Sequence, residues 1–167
     1  ILHIIETYVS GNSLIVKTRA GNCIRFSSPA KVLVSLPYIE ELRLSGSGKA
    51  TLDVADTDYF ECTNQGSGYV RVDTVIAGKM IIGNSGSGNI FVNESYVEEA
   101  SLEQSGSGTI EAAVIVDPVE VNIRHSSSGR IRSAIWDGLN VDAVLSGSGK
   151  IELRSEERRV GKECVSE

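Results

Sequence analysis

Hydrophobic and polar residues alternate along most of the chain, in short segments that recur at a fixed distance. Between residues 49 and 153, apolar side chains occupy every second position of these segments, with Ser133 as an exception. Alternation over about four to eight residues is typical of a β-strand with one buried face. A second alternating stretch precedes each Ser-Gly-rich segment. No stretch has the helical period of about 3.6 residues, so the pattern predicts an all-β protein.

A Ser-Gly-rich motif separates the predicted strands. Ser-Gly-Ser-Gly occurs at 45–48, 85–88, 105–108 and 146–149, and near copies occur at 65–68 and 126–129. From one copy to the next, the last glycine recurs after 20, 20, 20, 21 and 20 residues. The predicted corner residues are Ser47, Gly48, Ser67, Gly68, Ser87, Gly88, Ser107, Gly108, Ser128, Gly129, Ser148 and Gly149. A unit of this length cannot bury its own apolar side, whereas stacked copies can.

These repeats predict a single-domain parallel β-solenoid, a right-handed β-helix with rungs of about 20 residues. Stacked strands lie about 4.8 Å apart, and crossovers between parallel strands are usually right-handed. The predicted buried side chains are Leu52, Val70, Val72, Ile82, Ile90, Val92, Leu102, Ile110, Ile123 and Ile131. Further inward positions of the second strand are Phe60, Cys62, Met80, Ala100, Val121, Val141 and Ala143. The predicted exposed side chains are Arg71, Glu111, Arg132 and Glu152.

Small and polar residues are expected to shape the corners. Glycine adopts a positive φ without steric cost, which is the role expected of Gly46, Gly66, Gly86, Gly106 and Gly147. The corner serine hydroxyls are expected to satisfy one another and the corner backbone. One residue before the motif, Asn64, Asn84 and Gln104 are expected to stack as a short amide ladder. His125 holds the same place and is interpreted as a polar corner residue.

The two ends differ from the regular rungs of residues 45–153. Residues 1–44 are expected to form irregular first turns, with strands at 14–17 and 32–36. Because residue 1 is Ile and no leader pattern follows, we expect a removed leader or a start inside a longer gene product. Residues 154–164 resemble a translated sequencing adapter, so residues 154–167 are predicted to be a non-native tail that does not extend the strand ladder.

The corner series carries a family resemblance. Leu36-Pro37, then the run 39–48 that ends in Ser-Gly-Ser-Gly, and then the repeated corners, resemble the bacterial family described as putative auto-transporter adhesin, head GIN domain. The resemblance covers about residues 5 to 153. It implies a β-helical protein of the cell envelope, the periplasm or the extracellular space, with an adhesion-type role.

Charge and composition narrow the function classes. The net charge is −6, from 16 basic and 22 acidic residues without a basic block, which argues against a nucleic-acid partner. No apolar run approaches the roughly 18 residues of a membrane span. Cys62 aligns with Ile82 and Leu102 and is interpreted as a small buried hydrophobic residue, while its pairing with Cys23 stays open.

Two sets of residues are candidates for metal binding or catalysis. Asp53, Asp73 and Asn93 occupy equivalent places on three turns, where stacked oxygens could hold Ca²⁺, although a solvated column is the preferred interpretation. A polysaccharide lyase or hydrolase would use an outer cluster of acidic and basic groups. Its candidates are Asp53, Arg71, Asp73, Arg130 and Arg132. Because three turns separate Arg71 from Arg132, about 14 Å by the strand spacing, they do not form one site.

The sequence therefore predicts a non-enzymatic, cell-surface or secreted binding module without cofactor or metal. Its partner would be a surface polymer, a glycan or a protein, and a repetitive surface suits each of them. By their strand register Tyr69 and Phe91 point outward and are candidate contact residues. The alternatives are a carbohydrate-active β-helix and a structural stalk or spacer.

Overall fold

A computed structural model describes residues 5–19 and 31–156 of the 167-residue chain. These residues contain β-strands and no helix, as the alternation predicts. No helix long and apolar enough to cross a membrane occurs among them. The chain divides into two compact units, Ile1–Ser35 and Leu36–Glu167.

The first unit contains an antiparallel hairpin of strands β1 (Ile5–Ser10) and β2 (Ser13–Thr18). Gly11 opens its two-residue turn with a φ of 61°, a value that favours glycine. Arg19 donates a 2.8 Å hydrogen bond to Glu6, and this bond is the main cause that lowers the pKa of Glu6. Residues 5–18 thus form a hairpin instead of an irregular solenoid turn. The two-residue turn connects β1 directly to β2, so these two strands pair with each other as an antiparallel hairpin.

Of the two strands predicted in the first 44 residues, the structure contains one. The predicted strand at 14–17 lies within β2. The predicted strand at 32–36 is wrong, because residues 31–36 form no strand. Cys23 lies outside the described residues, so its pairing with Cys62 stays open.

The second unit is a parallel β-solenoid of about six turns with rungs of about 20 residues, which confirms the predicted fold class. Its strands are β3 (Glu41–Leu44), β4 (Lys49–Asn64), β5 (Tyr69–Asn84), β6 (Asn89–Gln104), β7 (Thr109–Val116), β8 (Glu120–His125), β9 (Arg130–Trp136), β10 (Asn140–Leu145) and β11 (Lys150–Glu156). The sheet order is β11-β9-β7-β6-β5-β4-β3, and β8 pairs with β6 and β10. All of these pairs are parallel. Right-handedness stays a prediction.

Each complete rung has three inward-facing segments, one more than the sequence pattern indicated. In β5 the buried positions are Val70, Val72, Val75, Ala77, Met80, Ile82 and Asn84. The alternation is reset after Val72 and again after Ala77, where two successive residues are not buried. These resets mark two bends of a continuous strand. Because the bends interrupt the period of two, the sequence pattern did not predict the middle segment.

Nine of the ten predicted core residues are buried. The tenth, Leu52, is half-buried, because β3 pairs only with residues 61–64 of β4 and leaves Leu52 a neighbouring rung on one side. The same reason explains the second-strand positions that differ. Val141 and Ala143 are exposed in β10, whose described partner is β8 alone, although they were predicted to face inward.

The predicted outward residues do lie outside the core, but to different degrees. Arg132 is exposed, whereas Arg71, Glu111 and Glu152 are half-buried. These side chains lie along the sheet face and contact their neighbours on adjacent rungs. Stacking in register brings such side chains within reach of each other, which reduces their exposure.

The strand ladder continues past Leu153. Residues 154–156 belong to β11 and pair in register with residues 134–136 of β9. The expectation that the ladder stops before residue 154 is therefore wrong for these three residues. Backbone hydrogen bonds build a parallel ladder, so it does not require alternating side chains. Residues 157–167 lie outside the described part of the chain.

Candidate functional site

The corner glycines allow close stacking of successive rungs. Of the described glycines only Gly11 has a positive φ, so the predicted positive φ at the corners is wrong. A Cβ at Gly106 would instead meet the carbonyl carbon of Ser85 at 2.6 Å, and one at Gly86 would meet that of Gln65 at 2.8 Å. Neighbouring rungs thus approach too closely for any side chain at these positions.

A column of buried polar side chains forms hydrogen bonds with the backbone of the corners from the interior of the solenoid. Asn64, Asn84, Gln104 and His125 pair in register on four successive rungs. Each is at most 1% exposed. Asn64 Nδ2 donates to Gly68 O at 2.9 Å, and the amides of Asn84 and Gln104 donate to their own corners in a similar way. No hydrogen bond joins these side chains to one another in the described residues, so the predicted amide ladder is wrong.

His125 performs this capping role with an imidazole. Its Nε2 donates to Gly129 O at 2.7 Å, while its Nδ1 accepts from the Ser127 N–H at 3.3 Å. The pair of bonds requires the neutral tautomer with its hydrogen on Nε2. His125 is therefore a polar corner residue, as the sequence indicated, and both ring nitrogens are occupied by backbone.

The corner serines face solvent. Exposed positions are Ser47, Ser67, Ser87, Ser107, Ser128 and Ser148. Among the described residues none of these hydroxyls bonds to another residue, contrary to the expected mutual pairing. The corner backbone bonds instead to the buried polar column.

The two candidate contact aromatics are covered by cations. Lys49 Nζ lies 5.5 Å from the centre of the Tyr69 ring, and the Arg71 guanidinium lies 5.0 Å from that of Phe91. Both rings are half-buried. A cation over a ring face stabilises the stack by cation–π attraction and shields that face from other partners.

Charged side chains link the last rungs on the same face. Glu152 accepts from Lys150 at 2.6 Å and from Arg132 at 2.9 Å, and Arg132 also lies 3.7 Å from Glu111. The hydrogen bonds from Lys150 and Arg132 lower the pKa of Glu152 to about 2. Glu111 and Glu152 thus flank one arginine and form an ion-pair network rather than an acid–base pair.

The proposed ion column and the enzyme candidates do not converge. Asp73 lies 2.6 Å from the Arg71 Nε, and Asp53 is exposed one rung away. No group of three or more His, Cys, Asp or Glu side chains that could hold a metal occurs in the described ranges. Arg71 and Arg132 lie three rungs apart, because Phe91 and Glu111 occupy the pairing positions between them.

Cys62 belongs to the core. It is fully buried as a free cysteine, and burial raises the pKa of its thiol to about 12, with a smaller effect from Glu61. A thiol with this pKa is almost wholly protonated at neutral pH and is therefore a poor nucleophile. The interpretation as a small buried hydrophobic residue agrees with this environment.

A groove that the sequence analysis did not identify runs across several rungs. It has a volume of about 470 Å³, and we call it the edge groove. Ile76, Tyr96 and Val116 form one wall at equivalent positions of successive rungs, and Trp136 continues this column. Ile76 is 44% exposed, Tyr96 46% and Trp136 42%. The column was missed because it begins beyond the first bend, but its constant 20-residue spacing is visible in the sequence.

Carboxylates form the other side of the edge groove. Asp58, Glu98 and Asp117 line this side, and Asp56 lies at the end of the apolar wall, in register with Ile76. Gly78 lies between Asp58 and Glu98 along the rungs and leaves the centre open, since it has no side chain. Ala77 and Val97 lie between the two sides, with their side chains buried in the core. The arrangement combines an exposed apolar strip with negative charge.

The described solenoid defines a repeat protein with a regular, polar outer surface and one mixed apolar and acidic groove. A family model described as "putative auto-transporter adhesin, head GIN domain" matches residues 1–156. The chain belongs to this family, which confirms the resemblance of its corner motifs. Comparisons with curated proteins and with solved structures give no significant match.

Proposed function

We propose that this chain is a non-enzymatic binding module of the cell surface or the secreted space. The observation that carries the proposal is the in-register parallel stack, in which each outward position recurs on successive rungs. The recurrence distance is about 4.8 Å. A rigid array of this kind suits contact with a polymer, a glycan or a protein. The adhesin description of the family supports the same class and a location in the cell envelope or outside the cell.

The absence of a catalytic arrangement in the described residues supports a non-enzymatic role. Catalysis generally needs converging groups whose pKa values are displaced toward their task. The lowered pKa of Glu152 results from an exposed ion-pair network, and the raised pKa of Cys62 results from burial in the core. The Glu152 carboxylate is held by Lys150 and Arg132, and the Cys62 thiol lies in the core, so neither group is arranged as a free acid, base or nucleophile.

A direct test measures binding and turnover with the same preparation. The purified chain is applied to an array of glycans and matrix proteins, with calcium and with chelator, and is assayed in parallel for polysaccharide depolymerisation. We expect saturable binding to at least one array component and no depolymerisation. The unfolded chain serves as the control for adsorption.

The other outcomes distinguish the alternatives. Depolymerisation that disappears in Asp53→Ala or Asp73→Ala would replace the proposal by a carbohydrate-active β-helix. Binding that requires calcium and disappears in the same variants would assign an ion-dependent site to Asp53, Asp73 and Asn93. A folded chain that binds nothing on the array would support a structural stalk or spacer.

A further inference from the structure

The apolar wall of the edge groove consists of large hydrophobic side chains that are exposed to solvent. Ile76, Tyr96 and Trp136 are each more than 40% exposed and belong to one register column. Val116 lies between Tyr96 and Trp136 and joins them into a continuous strip. Single exposed apolar residues need no explanation, whereas a contiguous strip with a polar rim is typical of an interaction surface.

The carboxylates of the groove are not neutralised by the described residues. None of Asp56, Asp58, Glu98 and Asp117 forms an ion pair there, whereas Glu99, Glu111 and Glu152 on other columns do. No Lys or Arg lines the groove. The groove therefore presents four negative charges beside an apolar strip, and its complement is a cationic partner with apolar groups.

We propose that the edge groove holds an extended polypeptide segment in which lysine or arginine residues alternate with apolar ones. This inference rests on the binding role proposed above and names its partner class. Successive side chains of an extended segment point in opposite directions. One set can pack on Tyr96 and its column while the other reaches Glu98 and its neighbouring carboxylates.

The dimensions agree with a short segment. The strip from Ile76 to Trp136 spans four rungs, which is about 14 Å at the strand spacing. Including the rung of Asp56 and Asp58, the groove is about 19 Å long. An extended chain rises about 3.3 Å per residue, so about six residues fill this length.

Fluorescence polarisation with a labelled probe tests the proposal. The probe is an eight-residue peptide of alternating lysine and valine, and the comparison peptides are lysine with serine and glutamate with valine. We expect saturable binding of the first peptide, weaker binding of the second and none of the third. Affinity should fall as salt is raised, since the Debye length shortens from about 10 Å at 0.1 M to about 3 Å at 1 M.

Matched variants locate the binding. The groove variant combines Asp58→Asn, Glu98→Gln and Asp117→Asn; asparagine tolerates the φ of 51° at position 117. It should weaken binding about tenfold. The control variant combines Glu40→Gln, Glu103→Gln and Asp142→Asn, which removes the same charge from exposed positions outside the groove. It should leave the affinity within about twofold, because distant exposed charges are screened. A third variant, Tyr96→Ser, should weaken binding severalfold while the chain stays folded, with some loss of thermal stability because the ring also packs on its neighbours in the column.

Three results would overturn the inference. Equal weakening by the groove and control variants would mean nonspecific attraction to net charge. Loss of glycan binding in Tyr96→Ser, with no effect of the groove variant, would assign the groove to a sugar. A chain that binds an array component but not the lysine–valine peptide would refute the groove assignment and leave the binding role intact.

Discussion

Replacing Gly108 by alanine tests the close stacking of the corners. A Cβ at this position would lie 2.8 Å from the Gly88 carbonyl carbon and 2.7 Å from Asn84 Nδ2. Since carbon atoms prefer about 3.5 Å, the two rungs would have to separate by at least about 0.7 Å. The inter-rung hydrogen bonds from Gly108 N and Thr109 N are already 3.3 Å long and would break.

The expected loss of stability follows from these changes. Overpacking costs about 1–3 kcal/mol, and each lost hydrogen bond costs about 1 kcal/mol. Alanine also reduces the entropy of the unfolded chain, which offsets about 0.4–1 kcal/mol. The free energy of unfolding should therefore fall by about 3 kcal/mol. Urea unfolding followed by the fluorescence of Trp136, the single tryptophan, and by far-UV circular dichroism measures it.

Gly48 provides the matched control, because it lies in the same corner column and a Cβ there meets nothing within 4 Å. Gly48→Ala should change the free energy of unfolding by less than about 1 kcal/mol. If both alanine variants lose the same stability, close approach between rungs is not the reason for glycine at the corners.

Three further predictions concern the core, the polar column and the ion pairs. Ile110→Asp should destabilise the fold by about 4 kcal/mol or more in urea unfolding, because it leaves an unpaired charge in the core. His125→Ala should cost about 2 kcal/mol, whereas His125→Asn should cost less than about 1 kcal/mol, because asparagine caps an equivalent corner. The Glu152 carboxyl should titrate by NMR at about pH 2, and Arg132→Gln should raise its pKa toward 4.5. Since folding lowers this pKa, its contribution to stability is complete above pH 4.5 and disappears as the pH falls toward 2.

Each of these predictions has an outcome that contradicts it. Thr109→Asp introduces the same charge at the outward neighbouring position and should be tolerated, so equal losses at 109 and 110 would refute the strand register. Equal effects of His125→Ala and His125→Asn would exclude a capping role. An unchanged Glu152 titration in Arg132→Gln would show that Lys150 alone holds the carboxylate.

The corners show which structural features the sequence periodicity predicts and which it does not. The spacing of Gly48, Gly68 and the later corner glycines located the stack correctly, because a regular repeat implies equivalent positions. The spacing did not reveal why glycine is required at the corners. A local turn and a close contact between rungs both select glycine, and the backbone φ values and the distance from Gly106 to the preceding rung distinguish them.

The edge groove is a feature that the sequence pattern could not predict. A strand pattern with a period of two identifies inward positions only until the first bend, so Ile76 and Tyr96 had no assigned direction. Their contact with each other depends on register between rungs, and their exposure depends on the bend. The lack of ion pairs at Asp58 and Glu98 also depends on three-dimensional placement. By contrast, the hairpin at residues 5–18 was missed because the solenoid pattern was extended to a segment without the repeat.

The rung formed by β7 and β8 contains one residue more than the rung formed by β6. The pairing offset changes from 20 at Tyr96–Val116 to 21 at Glu99–Glu120, so the extra residue lies at the bend of residues 117–119. This bend borders the edge groove, while the tightly stacked corners lie elsewhere on the rung. Changes of loop length can therefore accumulate beside the groove without disturbing the stack, and related chains would diversify their recognition at this bend while they retain one scaffold.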